Sequence, residues 1–239
     1  MTFVHLKTER FSIAHFINLE VEPAHKMTSA DSDIPGMTTH RIEALTDGIF
    51  AVAMTLLVLN LKLPQGGGEG LDADLLGLIT GQSHVFSNYA KSFLLAAIFW
   101  IIHHQQSSVI KRTDRNHTWL NILILMFVSL IPFSTSLVND YHDDWMASIF
   151  FGMNMFILGS LFYLNWDYAT RGHRLVAPNL DPLRIAVGKR RSAVTPVVSL
   201  FAMALALVDA PISSFAYLLI PLILFHPTFR YHPSAPEKR

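Results

Sequence analysis

The chain of 239 residues contains no cysteine and few charged side chains. The absence of cysteine excludes disulfides, thiolate metal sites and cysteine nucleophiles. Charged residues make up 15% of the sequence and hydrophobic residues 51%, whereas an average soluble domain is about 25% charged. Basic and acidic residues balance at 18 each, without a basic, aromatic-interleaved stripe that would indicate a nucleic-acid partner. The composition is typical of an all-α, polytopic membrane protein.

The sequence also lacks the motifs of common catalytic sites. It contains no GxSxG, HExxH, phosphate-binding loop or dinucleotide fingerprint. We therefore predict no enzymatic activity, no cofactor and no metal site. An intramembrane enzyme that uses Asp47 and a histidine is an alternative, but it lacks a recognisable nucleophile.

Long apolar runs predict six transmembrane helices and an interfacial helix. About 20 residues, at ~1.5 Å each, cross the hydrocarbon core of a bilayer. The predicted spans are 42–62, 86–110, 118–138, 145–168, 193–208 and 212–226. The last two form a hairpin broken at Asp209-Ala210-Pro211, and a single kinked helix is the alternative. Pro132 predicts a kink in the third span, and the segment 71–79 is the interfacial helix.

The charges of the connecting loops predict the orientation of the spans. With an inside N-terminus, the outside loops contain acidic residues and no lysine or arginine: Glu69, Asp72, Asp74, Asp140, Asp143, Asp144 and Asp209. The inside loops contain the basic residues Lys111, Arg112, Arg115, Arg171, Arg174, Arg184, Lys189, Arg190 and Arg191. Cytoplasmic loops carry such an excess of positive charge, so both termini are predicted to be cytoplasmic.

This topology divides the chain into three predicted parts. Residues 1–40 are polar and lack the basic start and apolar core of a signal peptide, which predicts a flexible cytoplasmic tail. Residues 41–227 form the membrane domain, and residues 228–239 form a second cytoplasmic tail.

The acidic residues Asp140, Asp143 and Asp144 lie together in one outside loop. Such a cluster can concentrate cations at the outer mouth of a pore. A solvated turn is the alternative interpretation.

The first span combines an apolar stripe with a carboxylate. Residues three and four apart share a helix face, and one face carries Gly48, Val52, Thr55, Leu56 and Leu59. Asp47 lies roughly 140° from Val52 at about 100° per residue, so it faces a different neighbour. Apolar stripes in membrane helices often pack against another helix, and that interpretation stays open at this point.

Asp47 is predicted to have a polar partner because an unpaired carboxylate in hydrocarbon is costly. The second span supplies His103 and His104 at a similar depth, and Arg41 is a further candidate. An Asp47–histidine pair is predicted as a structural clamp. A proton relay, as in a proton-coupled transporter that uses Asp47 and His103 or His104, is an alternative. Adjacent histidines point about 100° apart on a helix, which disfavours a metal site.

Three sequence segments indicate a family more specifically than the composition does. They are Arg41 with LTDG and FAVAMTLLVLNLKLP, the run SFLLAAIFWIIHHQ, and the run NILILMFVSLIPFSTSLV. Together, over about residues 40–140, they resemble the prokaryotic relatives of the lysosomal potassium channel, the transmembrane protein 175 family. The family motif is arginine, three residues, then Phe-Ser-Asp. Leu45 stands here in place of the phenylalanine and Thr46 in place of the serine.

The resemblance implies a homotetramer with six spans per subunit and a pore lined by the first helix. It implies a potassium-selective cation channel without a carbonyl-lined filter, and no TVGYG-like sequence occurs here. By position after the motif aspartate, the hydrophobic constriction carries over to Val52, Leu56 and Leu59, and potassium preference carries over to Thr55. Val52 is smaller than the isoleucine or leucine common at the first constriction, which predicts a leakier or less selective pore.

The resemblance also implies a polar network that braces the pore helix from behind. The residues that carry over to this network are Arg41, Thr46, Asp47, His103 and His104. Leu45 lacks the aromatic ring of the motif phenylalanine, which predicts altered packing at this point.

Overall fold

The computed structural model describes residues 39–61 and 80–229 of the chain. Its α-helices are α1 (Thr39–Leu56), α2 (Ser83–Ser107), α3 (Arg115–Ser129), α4 (Ile131–Asp140), α5 (Trp145–Thr170), α6 (Pro182–Ala206), α7 (Ala210–Phe215) and α8 (Leu219–Phe225). Within these residues the only β structure is one isolated bridge between Ile110 and Val176. The all-α prediction is confirmed for this part of the chain.

Four helical stretches are long and apolar enough to cross a membrane: His40–Asn60, Ser83–Ser107, Arg115–Asp140 and Trp145–His173. They correspond to the first four predicted spans. The predicted interfacial helix at 71–79 lies outside the described residues, as do nearly all residues of the two predicted tails.

The third of these stretches is interrupted at Leu130, between α3 and α4. Pro132 lies in the first turn of α4, and proline has no N–H for a helical hydrogen bond. The hydroxyls of Ser134 and Thr135 both donate to the carbonyl of Ile131, at 2.9 Å each. The interruption confirms the kink predicted at Pro132, and local hydroxyls satisfy one backbone carbonyl beside it.

The last apolar stretch is a hairpin, as predicted, but its first helix begins earlier. α6 begins at Pro182 rather than at 193, because the Asp181 side chain accepts from the Leu183 amide at 2.8 Å and caps a helix that proline can start. α6 ends at Ala206, and Asp209 caps α7 by accepting from the Ile212 amide at 2.9 Å. Both α7 and α8 pack against α6, which excludes one continuous kinked helix.

The loops of like charge gather at the same end of the helices. The basic loops before α3 and after α5 meet where the Lys111 amide donates to the Leu175 carbonyl at 2.8 Å. At the opposite end, the start of α2 meets the turn between α4 and α5, where the His84 and His142 rings lie 5.0 Å apart. The structure therefore separates a basic end from an acidic end, as the loop charges predict.

Candidate pore helix

α1 has one face in the hydrophobic core of the subunit. Its buried side chains recur at helical spacing: Ile42, Thr46, Phe50, Ala53 and Leu57. This face packs against α2 and α3. Thr46 is fully buried, and its hydroxyl donates to the Ile42 carbonyl at 2.8 Å, so the one polar group on this face is satisfied within its own helix.

The opposite face of α1 is bare, although it is apolar. The exposed fractions of Val52, Leu56 and Leu59 are 56%, 42% and 67%. Only 28% of the apolar stretch of α1 is buried, against 44% to 50% for the other three candidate spans. Within the described residues, the stripe therefore does not pack against another helix of its own chain. The described residues leave this apolar surface of the first span open to lipid or to another copy of the protein.

An open groove of about 400 Å³ runs along this bare face, beside α3. Leu45, Gly48, Val52 and Leu56 line it from the α1 side. Leu45 is 49% exposed, so the residue that replaces the motif phenylalanine belongs to the exposed stripe and not to the core. A Cβ added at Gly48 would meet no atom within 4 Å.

Thr55 is exposed on the same face, and its hydroxyl proton is occupied. The hydroxyl donates to the backbone carbonyl of Val52 at 2.8 Å. A hydroxyl oxygen that donates its proton still has acceptor capacity. Thr55 therefore presents oxygen lone pairs, rather than an O–H donor, to whatever occupies the space beside α1.

The last turn of the first span is a 3₁₀ helix, Leu57–Asn60. Side chains three apart eclipse each other in this tighter winding, which keeps Leu59 on the line of Leu56. The turn is fastened to the kink in the third span, because the Asn60 side-chain amide donates to the Pro132 carbonyl at 3.0 Å. Sequence reasoning missed Asn60, which gave no signal beyond being a polar residue at the end of an apolar run.

Asp47 accepts a hydrogen bond from Trp100 of α2, at 2.8 Å from the indole nitrogen to the carboxylate oxygen. The predicted direct bond to a histidine is wrong, since in the described residues neither His103 nor His104 is bonded to Asp47. Trp100 and His104 lie one helical turn apart, and their rings stack with centroids 6.0 Å apart. The Trp100 indole is therefore the partner of Asp47 in the place predicted for a histidine. Arg41 is exposed in the first turns of α1.

His103 points away from Asp47 into a buried polar chain. Its Nε2 lies 2.9 Å from the Asn121 side-chain oxygen, and its Nδ1 lies 3.3 Å from the Ser107 hydroxyl. The Asn121 amide nitrogen lies 3.2 Å from Nε2 of His117 and donates to the His117 carbonyl at 2.8 Å. Nδ1 of His117 lies 2.8 Å from the Thr113 hydroxyl. This series of hydrogen bonds thus links α2 to α3.

The order of donors and acceptors in this series of hydrogen bonds is satisfied with both histidines neutral. The Asn121 oxygen only accepts, so Nε2 of His103 carries a proton, and the Ser107 hydroxyl can donate to Nδ1 of the neutral ring. The Asn121 amide uses both protons on His117, so Nε2 of His117 accepts and Nδ1 donates to Thr113. Every member is paired without a charge, which favours a structural clamp over a titrating relay.

Sequence reasoning missed Trp100, His117 and Asn121 as members of this network. A signal existed for two of them, because His117 and Asn121 are four apart and therefore share a helix face. His103 and His104 diverge, as their adjacency predicts. The described residues contain no group of three or more histidine, aspartate or glutamate side chains that could hold a metal ion.

The acidic turn between α4 and α5 is exposed, and its carboxylates have local partners. Asp144 caps α5 by accepting from the Met146 amide at 2.7 Å. Asp143 lies 3.1 Å from Nε2 of His142, and Asp140 accepts from the Ser136 hydroxyl at 3.4 Å. These contacts account for the turn itself, and the exposed carboxylates remain available to mobile cations.

The chain matches the family model described as "Endosomal/lysosomal potassium channel TMEM175" over residues 41–132. It is 32% identical to a potassium channel of Streptomyces collinus over 186 residues, which cover 76% of this chain and 89% of the relative. It is also 32% identical to a potassium channel of Chamaesiphon minutus over 182 residues, covering 73% and 87%. The fold is similar to the crystal structure of a lysosomal potassium-selective channel TMEM175 homolog from Chamaesiphon minutus. The TM-score is 0.66 at 25% identity, covering 79% of this chain and 98% of the other.

Proposed function

We propose that this chain, which belongs to the TMEM175 family of potassium channels, is one subunit of a potassium-selective channel whose pore is lined by α1. The resemblance seen in the three sequence segments is confirmed by these comparisons. The observation that carries the proposal is the bare apolar face of α1. One face of α1 packs in the core and the apolar face is exposed. Several copies of α1 are therefore suited to surround a shared axis with their exposed faces.

A homotetramer supplies the surface that a single subunit leaves uncovered. Soluble and membrane oligomers of identical chains close by rotational symmetry, and four copies of α1 around an axis would enclose a narrow path. Each subunit would contribute six spans, with α6 and the segment Ala210–Phe225 added to the four long apolar helices. Residues 41–227 would form the membrane domain, with tails 1–40 and 228–239 in the cytoplasm of a prokaryotic cell and the protein in its plasma membrane.

The constriction in this proposal consists of rings of Val52, Leu56 and Leu59. Apolar rings of small radius gate ion flow because water leaves them and an ion cannot cross a dry gap. Thr55 lies between two of these rings, and its oxygen lone pairs would replace part of the hydration shell of a K+ ion. The hydrogen bond to the Val52 carbonyl holds that hydroxyl in one orientation.

The polar contacts behind α1 would keep the pore helix in place. Asp47–Trp100 ties its first half to α2, and Asn60–Pro132 ties its last turn to the third span. The neutral chain through His103 and Asn121 holds α2 against α3, the two helices on which α1 rests. Arg41 and Thr46 belong to the same polar network behind α1 in this proposal.

Asp140, Asp143 and Asp144 would form an acidic outer vestibule in the tetramer. Their exposed carboxylates raise the local cation concentration through the combined field of four copies. The relatives of this chain are channels, and we assign no catalytic residue and no cofactor to it.

Cation flux in proteoliposomes tests the proposal, with potassium and sodium gradients applied in turn to the full-length protein. We expect potassium flux to exceed sodium flux in the wild type. In Leu56→Asn a polar ring keeps the constriction wet, and we expect potassium flux to rise roughly tenfold, which corresponds to a barrier lowered by about 1.4 kcal/mol. Leu164→Asn is the matched control, because Leu164 is a similarly exposed leucine on α5.

Two results would contradict the proposal. If Leu56→Asn and Leu164→Asn changed potassium flux equally, α1 would not line the pore. Saturable flux that requires a proton gradient and proceeds at carrier rates would favour the proton-coupled transporter that uses Asp47 and His103 or His104.

A further inference from the structure

A buried lysine lies inside the second span, towards the acidic end of the molecule. Lys91 is 8% exposed, and at ~1.5 Å per residue it lies roughly 12 Å along α2 from Ser83. An ionisable residue inside a membrane span is costly and usually has a function. Neither the pore helix nor its bracing network uses Lys91.

The contacts that Lys91 makes within the described residues do not balance its charge. Its ammonium donates a short hydrogen bond to the Ser214 hydroxyl and lies 4.4 Å from the ring centroid of Phe215. An ammonium has three donors, so one hydroxyl and one aromatic face leave a donor unused. Among the described residues, no carboxylate forms an ion pair with it. Within the described residues, Lys91 therefore lacks an anionic partner.

A cavity of about 340 Å³ adjoins Lys91, between the start of α2, the end of α4 and the start of α7. Its described lining residues include His84, Asn88, His142 and Ser214 and no aspartate or glutamate. A smaller pocket continues inward from Lys91 to Tyr217, whose buried hydroxyl has no hydrogen-bond partner among the described residues. The cavity is larger than the ~30 Å³ that a water molecule occupies in the liquid, so it admits a polyatomic anion.

The polar walls of this cavity are preorganised. Ser214 donates to the Asn88 side-chain oxygen at 3.3 Å, which turns the serine oxygen towards the Lys91 ammonium. Asn88 is fixed in turn, because its amide donates to the Asn139 oxygen at 2.9 Å. At the mouth, His142 contacts His84 and also Asp143, which lies outside the cavity lining. Lys91 is thus held in place, and its charge faces a space whose described lining contains no carboxylate.

We propose that this cavity binds a phosphate group, with the Lys91 ammonium donating to its oxygens. Hydrogen bonds between an ammonium and an anionic oxygen are about twice as strong as neutral ones. The imidazole of His84 supplies a further donor at the mouth. Inorganic phosphate and the headgroup of an anionic phospholipid carry the same chemistry, and both can reach an opening near the end of a membrane span.

Binding to the detergent-purified full-length protein tests the site. One arm titrates inorganic phosphate against chloride at equal ionic strength and records thermal unfolding. The other mixes the protein with lipid, phosphatidylglycerol or phosphatidylcholine, and measures the retained lipid by native mass spectrometry. Lys91→Met keeps the length of the side chain without its charge. Lys111→Met is the matched control, because Lys111 is an exposed lysine at the opposite end of the helices.

We expect Lys91→Met to weaken binding of the effective anion about tenfold or more, the effect of removing a charged hydrogen-bond donor, and Lys111→Met to leave it unchanged. Binding of phosphate alone identifies a free-ion site, and retention of phosphatidylglycerol alone identifies a lipid site. The proposal is overturned if neither anion binds the wild type, or if Lys91→Met binds both as well as the wild type does. These readouts need no ion flux, so their failure is distinct from a failure of potassium conduction.

Discussion

The Thr55 hydroxyl shows how one hydrogen bond can decide what a residue offers. A free threonine hydroxyl rotates and can donate or accept, whereas here its proton is held by the Val52 carbonyl. What remains is an oxygen of fixed position on the bare face of α1, next to Leu56. Such an oxygen suits a cation that has lost part of its water and disfavours an anion.

Thr55→Val tests this role, since valine keeps the shape and removes the oxygen. We expect the ratio of potassium to sodium permeability to fall by about tenfold or less, because weakening one hydroxyl contact is worth about 1 kcal/mol. Bi-ionic reversal potentials of the reconstituted protein measure it. Thr46→Val is the matched control, because its hydroxyl makes the same kind of bond on the buried face. If the ratio of potassium to sodium permeability were the same in Thr55→Val and the wild type, Thr55 would not contact the permeating ion.

At the scale of the helices, α5 and α6 pack closely against each other. α5 carries Gly152 and Gly159 on the side that meets α6. A Cβ at Gly159 would lie 2.7 Å from the ring of Pro196 and 3.0 Å from its backbone nitrogen. Backbone atoms cannot yield as a flexible side chain does, so this contact permits only glycine.

Gly159→Ala is therefore expected to destabilise the subunit by about 1–3 kcal/mol, the usual cost of overpacking. In a chain of this size the melting temperature would fall by roughly 2–4 °C per kcal/mol, as thermal unfolding in detergent can measure. Gly81→Ala serves as the control, because a Cβ at Gly81 meets no atom within 4 Å. If both variants have the melting temperature of the wild type, α5 and α6 are not packed as closely as the contact between Gly159 and Pro196 requires.

At the scale of the whole molecule, the absence of cysteine offers a direct measurement of assembly. Any single cysteine introduced into this chain is unique, so a disulfide can form only between copies. The proposed tetramer brings the Val52 side chains of four subunits towards one axis. Residues on the opposite, lipid-facing surface stay far apart in the same assembly.

Val52→Cys is expected to cross-link subunits in membranes under mild oxidation, giving a dimer band on non-reducing gels that disappears with reductant. Val197→Cys provides the comparison, because Val197 is a comparably exposed valine on α6. Stronger cross-linking at position 197 than at position 52 would refute an axis along α1. Chemical cross-linking of the unmodified protein would give the number of copies independently.

The sequence by itself determined the features that depend on periodicity and composition. The first four spans, the kink at Pro132, the hairpin break at Asp209 and the two faces of α1 all follow from the spacing of apolar residues and from residues that stop helices. These are local properties, since helical repeat and capping act over a few residues. The family resemblance also arose from local segments, over about residues 40–140.

Only the tertiary structure decided which polar groups meet. Asp47 is bonded to Trp100 and not to a histidine, and Asn60 is bonded to the carbonyl of Pro132. Sequence spacing puts side chains at similar depths, but the rotation and separation of packed helices select the partner, and an indole reaches farther than an imidazole. The Lys91 cavity depends likewise on Ser214, a residue distant in sequence that α7 brings alongside α2. Contacts of this kind arise from packing between helices, which no single stretch of sequence encodes.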